Sequence, residues 1–282
     1  MAETPLFTII FGPTASGKSA QAYELAQKLE TNVLSFDSRH IYQGMDIVTG
    51  KDRPPQDWPQ KLLGVDLVTP DQDFSIRHYY EYAKPIINSY RERQKPLILV
   101  GGSWQYVDVL LRPPASLFVP IDEKWRQEAS KLSTPQLQAK LKQVDESKFS
   151  ALNQSDVANP RRLIRAIEVA SQPEITTPQP LIQTNEYQLI AKTPSIDQIS
   201  DRIINRIQER LNQGALEETE YLMNKYPDWH APAFSATGYG PIRQYLEGQI
   251  DEESMKQAWK HQEREYAKRQ LVWIKSLDLI AE

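Results

Sequence analysis

A glycine-rich stretch near the N-terminus has residue types that suit the binding of a phosphate chain. It reads Gly12-Pro13-Thr14-Ala15-Ser16-Gly17-Lys18-Ser19 and matches the P-loop pattern G-x-x-x-x-G-K-[ST]. Its glycines let consecutive backbone N–H groups curl around an anion, and the N-terminus of a following helix adds partial positive charge. Lys18 can reach the terminal phosphates, and the Ser19 hydroxyl can ligate Mg²⁺. The stretch predicts a di- or triphosphate site with Mg²⁺ as cofactor and leaves the reaction open.

The segments on either side of this stretch are those that a P-loop requires. Apolar residues 6–11 predict a buried strand, and amphipathic residues 19–30 predict a helix. A second strand is predicted over residues 32–36 and leads into Asp37. Because ligands of an open parallel sheet lie beyond the carboxyl ends of its strands, Asp37 is expected beside the phosphates. The alternative is that Asp37 caps the following turn.

Further strands are predicted over residues 62–68, 96–100 and 187–192, and helical spacing is found in residues 74–93, 104–111, 194–222 and 251–277. The strand at 96–100 runs into Gly101-Gly102-Ser103. It lacks the terminal Asp that holds Mg²⁺ in many P-loop NTPases, which argues against a motor or switch ATPase.

Between residues 113 and 180 the strand-like runs disappear and three helices are predicted. The third of these carries Arg161, Arg162 and Arg165, a cluster that fits either a solvated basic face or a surface for nucleic-acid phosphates. We predict an α/β fold, with a P-loop NTPase-like parallel sheet flanked by helices, formed by residues 1–115 and 184–282. Residues 116–183 are predicted to form an all-α insertion domain.

The composition narrows the function class. The chain has 282 residues, 40% hydrophobic and 25% charged, which is ordinary for a globular protein. With no cysteine, disulfides and cysteine-based metal sites or nucleophiles are excluded. A net charge of −4 means that any nucleic-acid binding uses local basic patches. The short N-terminal apolar run lacks a basic leader, and no run is long enough for a membrane span, so a cytoplasmic protein is expected.

Five motifs, in this order, together resemble the tRNA dimethylallyltransferases, also called tRNA isopentenyltransferases. The resemblance covers nearly the whole chain. The motifs are the stretch 12–19, then Asp37-Ser38 with Tyr42-Gln43-Gly44-Met45-Asp46-Ile47, then Gly101-Gly102-Ser103, then Asn159-Pro160-Arg161-Arg162-Leu163-Ile164-Arg165-Ala166, and then Tyr266-Ala267-Lys268-Arg269-Gln270.

The resemblance implies transfer of a five-carbon allylic group from dimethylallyl diphosphate to N6 of the adenine 3′ of the anticodon. The P-loop would then bind a diphosphate leaving group rather than ATP, Asp37 would accept the N6 proton, and Ser103 and Arg206 would assist at the amine and the diphosphate. The insertion domain would grip the anticodon stem-loop of a tRNA partner, and the enzyme is expected to be monomeric. The residues implied in tRNA binding are Asp37, Ser38, Arg39, His40, Arg126, Arg161, Arg162, Arg165, Gly238, Tyr239, Lys268, Arg269, Gln270 and Lys275.

The chain departs from the family pattern at several positions. Ser103 stands where Thr is usual. In the usual Thr-Ala-Lys-Pro motif, Gly50 replaces the Ala, and the Pro is displaced to Pro54. Gly240 replaces a residue that is usually basic, and Glu263 replaces a common Thr. Other features resemble the adenylate isopentenyltransferases, so free AMP or ATP is an alternative acceptor. A small-molecule kinase with Asp37 as its base and a non-catalytic, RNA-binding nucleotide sensor are the more distant alternatives.

Overall fold

A computed structural model of the chain describes residues 5–172 and 175–278. Its strands are β1 Phe7–Phe11, β2 Val33–Ser35, β3 Leu62–Leu63, β4 Leu97–Gly101 and β5 Tyr187–Ala191. Its α-helices are α1 Lys18–Lys28, α2 Ile76–Glu92, α3 Trp104–Leu111, α4 Glu123–Ala129, α5 Thr134–Val144, α6 Glu146–Ser150, α7 Gln154–Val157, α8 Pro160–Ala170, α9 Ile196–Asn212, α10 Ala215–Lys225, α11 Tyr239–Leu246 and α12 Glu252–Asp278.

The strands form one parallel sheet in the order β3-β2-β4-β1-β5. Every residue of β1 and β4 is buried, as expected for continuous apolar strands covered by helices on both faces. Ile9 at the centre of β1 pairs with Leu99 of β4 and Leu189 of β5. Because all strands run the same way, the segments that follow β1, β2, β4 and β5 lie at one edge of the sheet. This confirms the predicted fold class.

Two predicted segments are shorter than expected for local reasons. The strand predicted over 62–68 ends at Leu63, because the next N–H, that of Gly64, donates to the Tyr82 hydroxyl (3.1 Å) rather than to a neighbouring strand. The helical segment predicted over 194–222 divides into α9 and α10 at Gly214. Its φ of +102° lies in a region that side-chain-bearing residues rarely adopt.

The chain divides into two compact units. One comprises Met1–Leu111 and Pro180–Glu282, and the other comprises Arg112–Gln179. The smaller unit contains helices α4 to α8 around a buried apolar cluster that includes Leu137, Leu141 and Leu163. Across residues 5–172 and 175–278, no helix is both long enough and apolar enough to cross a membrane.

Candidate active site

The loop 12–19 joins β1 to α1, and its central polar side chains include groups that can bind a ligand. The Ser16 hydroxyl is buried and has no hydrogen-bond partner among the described residues. Such groups are rare in native proteins and call for a specific explanation. The Lys18 ammonium donates to the Pro13 carbonyl (3.3 Å) and so folds back over the loop. These donors can bind an anion, in agreement with the predicted phosphate site.

An open cleft lies over this loop and contains two of the three predicted catalytic residues, Asp37 and Arg206. Its lining carries several charged side chains and comes mainly from the segments after β1 and β2 together with α9 and α12. The lining residues include Thr14, Lys18, Ser19, Asp37, Arg39, His40, Gly50, Asp52, Arg206, Thr237, Glu263, Tyr266 and Gln270.

Asp37 lies two residues beyond β2 and is buried. Its Oδ1 accepts a hydrogen bond from the Arg39 N–H (3.0 Å), so it also caps the turn, as the alternative interpretation predicted. Burial acts to raise the pKa of the Asp37 carboxyl, but His40, Lys18 and the Arg39 N–H together hold that pKa below its usual value. Burial in turn lowers the pKa of the Lys18 ammonium, against the attraction of Asp37. Asp37 is therefore an ionised carboxylate at neutral pH and can accept a proton.

Ser103 connects the segment after β4 to the segment that carries Asp37. Its Oγ accepts from the Ser38 N–H (2.9 Å) and donates to the Ser38 Oγ (3.0 Å). The Tyr266 hydroxyl of α12 is hydrogen-bonded to the same side chain, and burial raises the pKa of that hydroxyl. Ser103 therefore fixes the backbone next to Asp37.

Arg206 reaches the loop 12–19 from α9, as the resemblance implies. Its Nη1 donates to the Thr14 Oγ1 (3.3 Å), and its Nη2 pairs with the Asp52 Oδ1 (3.0 Å). The Ser19 hydroxyl donates to the other carboxylate oxygen of Asp52 (3.3 Å). A role for Asp52 was not predicted from the sequence. Its only signal is its position directly after Gly50-Lys51, where the family motif is broken.

A buried ion pair at the cleft, between Arg210 and Glu263, was also not predicted from the sequence. The Arg210 Nη1 lies 2.9 Å from Glu263 Oε1 and donates to the Val48 carbonyl (3.1 Å), and the Thr237 hydroxyl donates to the same Glu263 oxygen (3.0 Å). A Cβ at Gly50 would come within 2.1 Å of the Arg210 Nη2. This close contact, together with a φ of +62° at Gly50 that side-chain-bearing residues rarely adopt, explains why Gly stands at position 50 instead of Ala.

Besides Asp37, two residues implied in tRNA binding have buried side chains. Tyr239 is fully buried, and its hydroxyl donates to Glu218 Oε1 (2.7 Å). Gln270 accepts from the Thr14 N–H (3.1 Å) and donates to the Gly102 carbonyl (2.8 Å), so it joins the loop 12–19 to the segment after β4. Direct contact between either side chain and RNA does not fit these positions. Gln270 instead holds the cleft together.

Apart from Asp37 and Gly238, the other implied tRNA-binding residues of the larger unit lie nearer the surface. Lys268, Arg269 and Lys275 are exposed on α12, although Lys268 also pairs with Glu265 (2.6 Å). Arg39 is partly buried and donates to the Pro232 carbonyl (2.7 Å). Gly238 is buried, with its N–H donating to Gln262 Oε1 (3.1 Å). The exposed cations of α12 can therefore contact nucleic-acid phosphates.

In the smaller unit, the predicted basic cluster separates into internal and exposed cations. The Glu168 carboxylate is buried and pairs with Arg126 (2.7 Å) and Arg165 (2.9 Å). Arg165 also donates to three backbone carbonyls, those of Ser116, Val119 and Pro120. Arg126 and Arg165 therefore have a structural role in this unit. Arg162 pairs with Asp156, and the exposed guanidinium of Arg161 makes no hydrogen bond or ion pair within the described residues.

Glu218 on α10 anchors the segment that covers the cleft. Its carboxylate accepts from three consecutive backbone N–H groups, those of Asp46 (2.8 Å), Ile47 (2.7 Å) and Val48 (3.0 Å). Gly50 and Asp52 follow directly in the chain, so this carboxylate sets where both lie. No sequence pattern distinguishes Glu218 from the neighbouring acidic residues of α10.

We expect Glu218→Gln to lower the free energy of unfolding by about 2–4 kcal/mol. A hydrogen bond to a charged group contributes roughly 1.5–3 kcal/mol, and the amide would also turn an N–H₂ donor toward backbone donors. Chemical denaturation measures the change. Glu220→Gln, an exposed position on the same helix, is the matched control. Equal stability of the two variants would contradict the anchoring role.

Comparison with known proteins identifies the family. The family model described as IPP transferase matches residues 40–277. The tRNA dimethylallyltransferase of Natranaerobius thermophilus is 34% identical, over 96% of this chain and 83% of that protein. That of Synechocystis sp. is 32% identical, over 98% of this chain and 89% of that protein.

Solved structures agree with this family. The full-length tRNA isopentenylpyrophosphate transferase from Bacillus halodurans has a TM-score of 0.66 at 28% identity, over 96% of this chain and 87% of that chain. A eukaryotic dimethylallyltransferase acting on tRNA has a TM-score of 0.78 at 20% identity, over 96% of this chain and 70% of that chain, which shows a shared fold. The resemblance inferred from five motifs is thus confirmed, and the chain belongs to the IPP transferase family together with the tRNA dimethylallyltransferases.

Proposed function

We propose that this protein transfers a dimethylallyl group from dimethylallyl diphosphate to N6 of the adenine 3′ of the anticodon in tRNA, and releases diphosphate. The observation that carries the proposal is that a buried, ionised carboxylate, Asp37, shares one cleft with the loop 12–19. An alkyl transfer from a diphosphate to an amine needs a proton acceptor beside an anion-binding loop. Family membership supports tRNA as the acceptor.

On the side of the prenyl donor, negative charge grows on the diphosphate as its bond to the allylic carbon breaks. Backbone N–H groups of the loop 12–19, which we propose acts as a P-loop, bind this charge together with Lys18 and Arg206. Donors that are already oriented stabilise the transition state without reorganising. The unpartnered Ser16 hydroxyl supports this assignment, since a diphosphate oxygen would satisfy it.

On the acceptor side, the N6 amine attacks the allylic carbon and becomes positively charged as the C–N bond forms. It then loses a proton to the Asp37 carboxylate, which restores a neutral secondary amine. Ser103 holds the Asp37 segment through Ser38. The adenine reaches this cleft only if it leaves the base stack of its loop, at a cost of a few kcal/mol.

The residues near Ser19 fit a bound Mg²⁺. Oxygen ligands suit this ion, and the Ser19 hydroxyl and Asp52 carboxylate supply them. Among the described residues, no group of three or more acidic, His or Cys side chains could hold a metal. This agrees with the usual binding of Mg²⁺ through one or two protein groups, substrate phosphates and water. When bound, the ion supplies positive charge at the diphosphate.

The proposal is tested by incubating the protein with labelled dimethylallyl diphosphate, Mg²⁺ and bulk tRNA, with no nucleoside triphosphate present. We expect label to enter tRNA. Parallel reactions contain AMP in place of tRNA, or ATP in place of the prenyl donor. Transfer to AMP alone would favour an adenylate enzyme, a requirement for ATP consumption would favour a kinase, and binding without turnover would favour a sensor.

Tight tRNA binding should depend on salt through the exposed cations. We expect Arg161→Ala with Arg162→Ala to weaken tRNA binding and to make the log–log salt slope shallower by about 1–2 units, at ~0.7–0.9 per phosphate contact. Arg165 is left intact because it holds its own unit together. The measurement is tRNA affinity over a salt series. Lys84→Ala with Lys95→Ala, which removes two exposed lysines, is the control, and an equal slope for both double variants would contradict the assignment.

A further inference from the structure

The Asp52 carboxylate contacts two groups that the proposed function places at the diphosphate site, the Ser19 hydroxyl and the Arg206 guanidinium. Its Oδ2 accepts from the Ser19 hydroxyl (3.3 Å), and its Oδ1 pairs with the Arg206 Nη2 (3.0 Å). The Asp52 side chain is half exposed, so its position is not imposed by packing in the core. The family motif as described above ends in Pro at this point, after Gly50-Lys51.

The backbone at Asp52 is anchored, so the carboxylate is presented to Ser19 by a fixed segment. The Asp52 N–H donates to the Gly50 carbonyl (2.8 Å), and the Asp52 carbonyl accepts from the Tyr23 hydroxyl. The preceding Lys51 is buried and pairs with Asp46 (2.7 Å) and Asp66 (2.6 Å).

A carboxylate at this point would repel a bound diphosphate unless cations offset its charge. Arg206 contacts its Oδ1, which leaves Oδ2, the oxygen that faces the Ser19 hydroxyl, available to a metal ion. The Ser19 hydroxyl is at the P-loop position that ligates Mg²⁺. In many P-loop NTPases the accompanying carboxylate comes from an Asp on another strand. Here β4 runs into Gly102-Ser103 and supplies none. We propose that Asp52 provides this missing carboxylate, as a ligand of the Mg²⁺ that accompanies the diphosphate.

This inference rests on the proposed function, and inorganic diphosphate tests it without tRNA or turnover. Calorimetry would measure diphosphate binding at a series of Mg²⁺ concentrations, and electron paramagnetic resonance would follow Mn²⁺ bound in the presence of diphosphate. We expect Asp52→Asn to raise the metal concentration for half-saturation about 10-fold or more, as loss of a supporting metal contact typically does. Thermal unfolding would verify that the variant is folded.

Asp57→Asn is the matched control, because Asp57 is exposed in the same segment and makes no contact with Ser19. Equal metal dependence of both variants would overturn the inference. Tighter diphosphate binding by Asp52→Asn in the absence of metal would also overturn it, because Asp52 would then be a competitor of the anion. If the unaltered protein bound no diphosphate at any metal concentration, the proposed function would fail, and this inference with it.

Discussion

Asp37→Asn is expected to lower the rate of prenyl transfer to saturating tRNA by roughly 10²–10⁴-fold, the usual contribution of a positioned general base. The amide keeps the shape of the side chain and can still accept from the Arg39 N–H, but it cannot take the N6 proton. Single-turnover kinetics would measure the chemical step, and tRNA affinity should change little. Weaker tRNA binding with normal turnover at saturation would show that Asp37 is a binding residue.

The pH profile provides an independent control for the same residue. A base with a lowered pKa is ionised above that pKa and loses activity only as the pH falls through it. The pKa of Asp37 lies below its ordinary value of 3.8, so its protonation should not limit the rate at any pH above that value. A loss of rate between pH 6 and 7, within the usual range of His, would assign the proton acceptor to another group.

Lys18→Ala is expected to reduce turnover by about 10²–10³-fold, the usual effect of removing one donor to a developing oxyanion. The ammonium lies at the loop 12–19, and its loss leaves the diphosphate charge less well stabilised in the transition state. The measurement is the rate at saturating dimethylallyl diphosphate. Lys28→Ala, at the other end of α1, is the matched control, because Lys28 is exposed and pairs with Glu24 on the surface. Equal rates for the two variants would rule out the proposed diphosphate site.

The central strands of the sheet could be predicted from the sequence because β1 and β4 are buried on both faces. Continuous apolar runs identify β1 and β4 to within one residue of their bounds, and the edge strand β5 also lies within one residue of its predicted bounds. The loop 12–19 and Asp37 follow directly from these strands, so their proximity is a consequence of parallel topology. The start of α11 at Tyr239 was harder to predict, because Gly238 and Gly240 on either side favour a loop by composition.

The parts of the site that were missed depend on contacts between residues far apart in the chain. Glu218 meets the N–H groups of residues 46–48 only once α10 has packed against that segment. Arg210 and Glu263 belong to different helices, and neither shows in the sequence that it will be buried. The spacing of residues predicts one helix or strand at a time. These polar pairs form between two such elements, so residue spacing does not predict them.

The 27 residues of α12 form one helix about 40 Å long, which contributes side chains to the core, to the cleft and to the surface. Trp259 is buried, Glu263 pairs with Arg210, Gln270 clasps the loop 12–19, and Lys268 faces outward. Each added or deleted residue turns the rest of a helix by about 100°. A single deletion between Trp259 and Glu263 would therefore move every later group out of phase at once, so the length of this helix is constrained more tightly than the identity of its exposed residues.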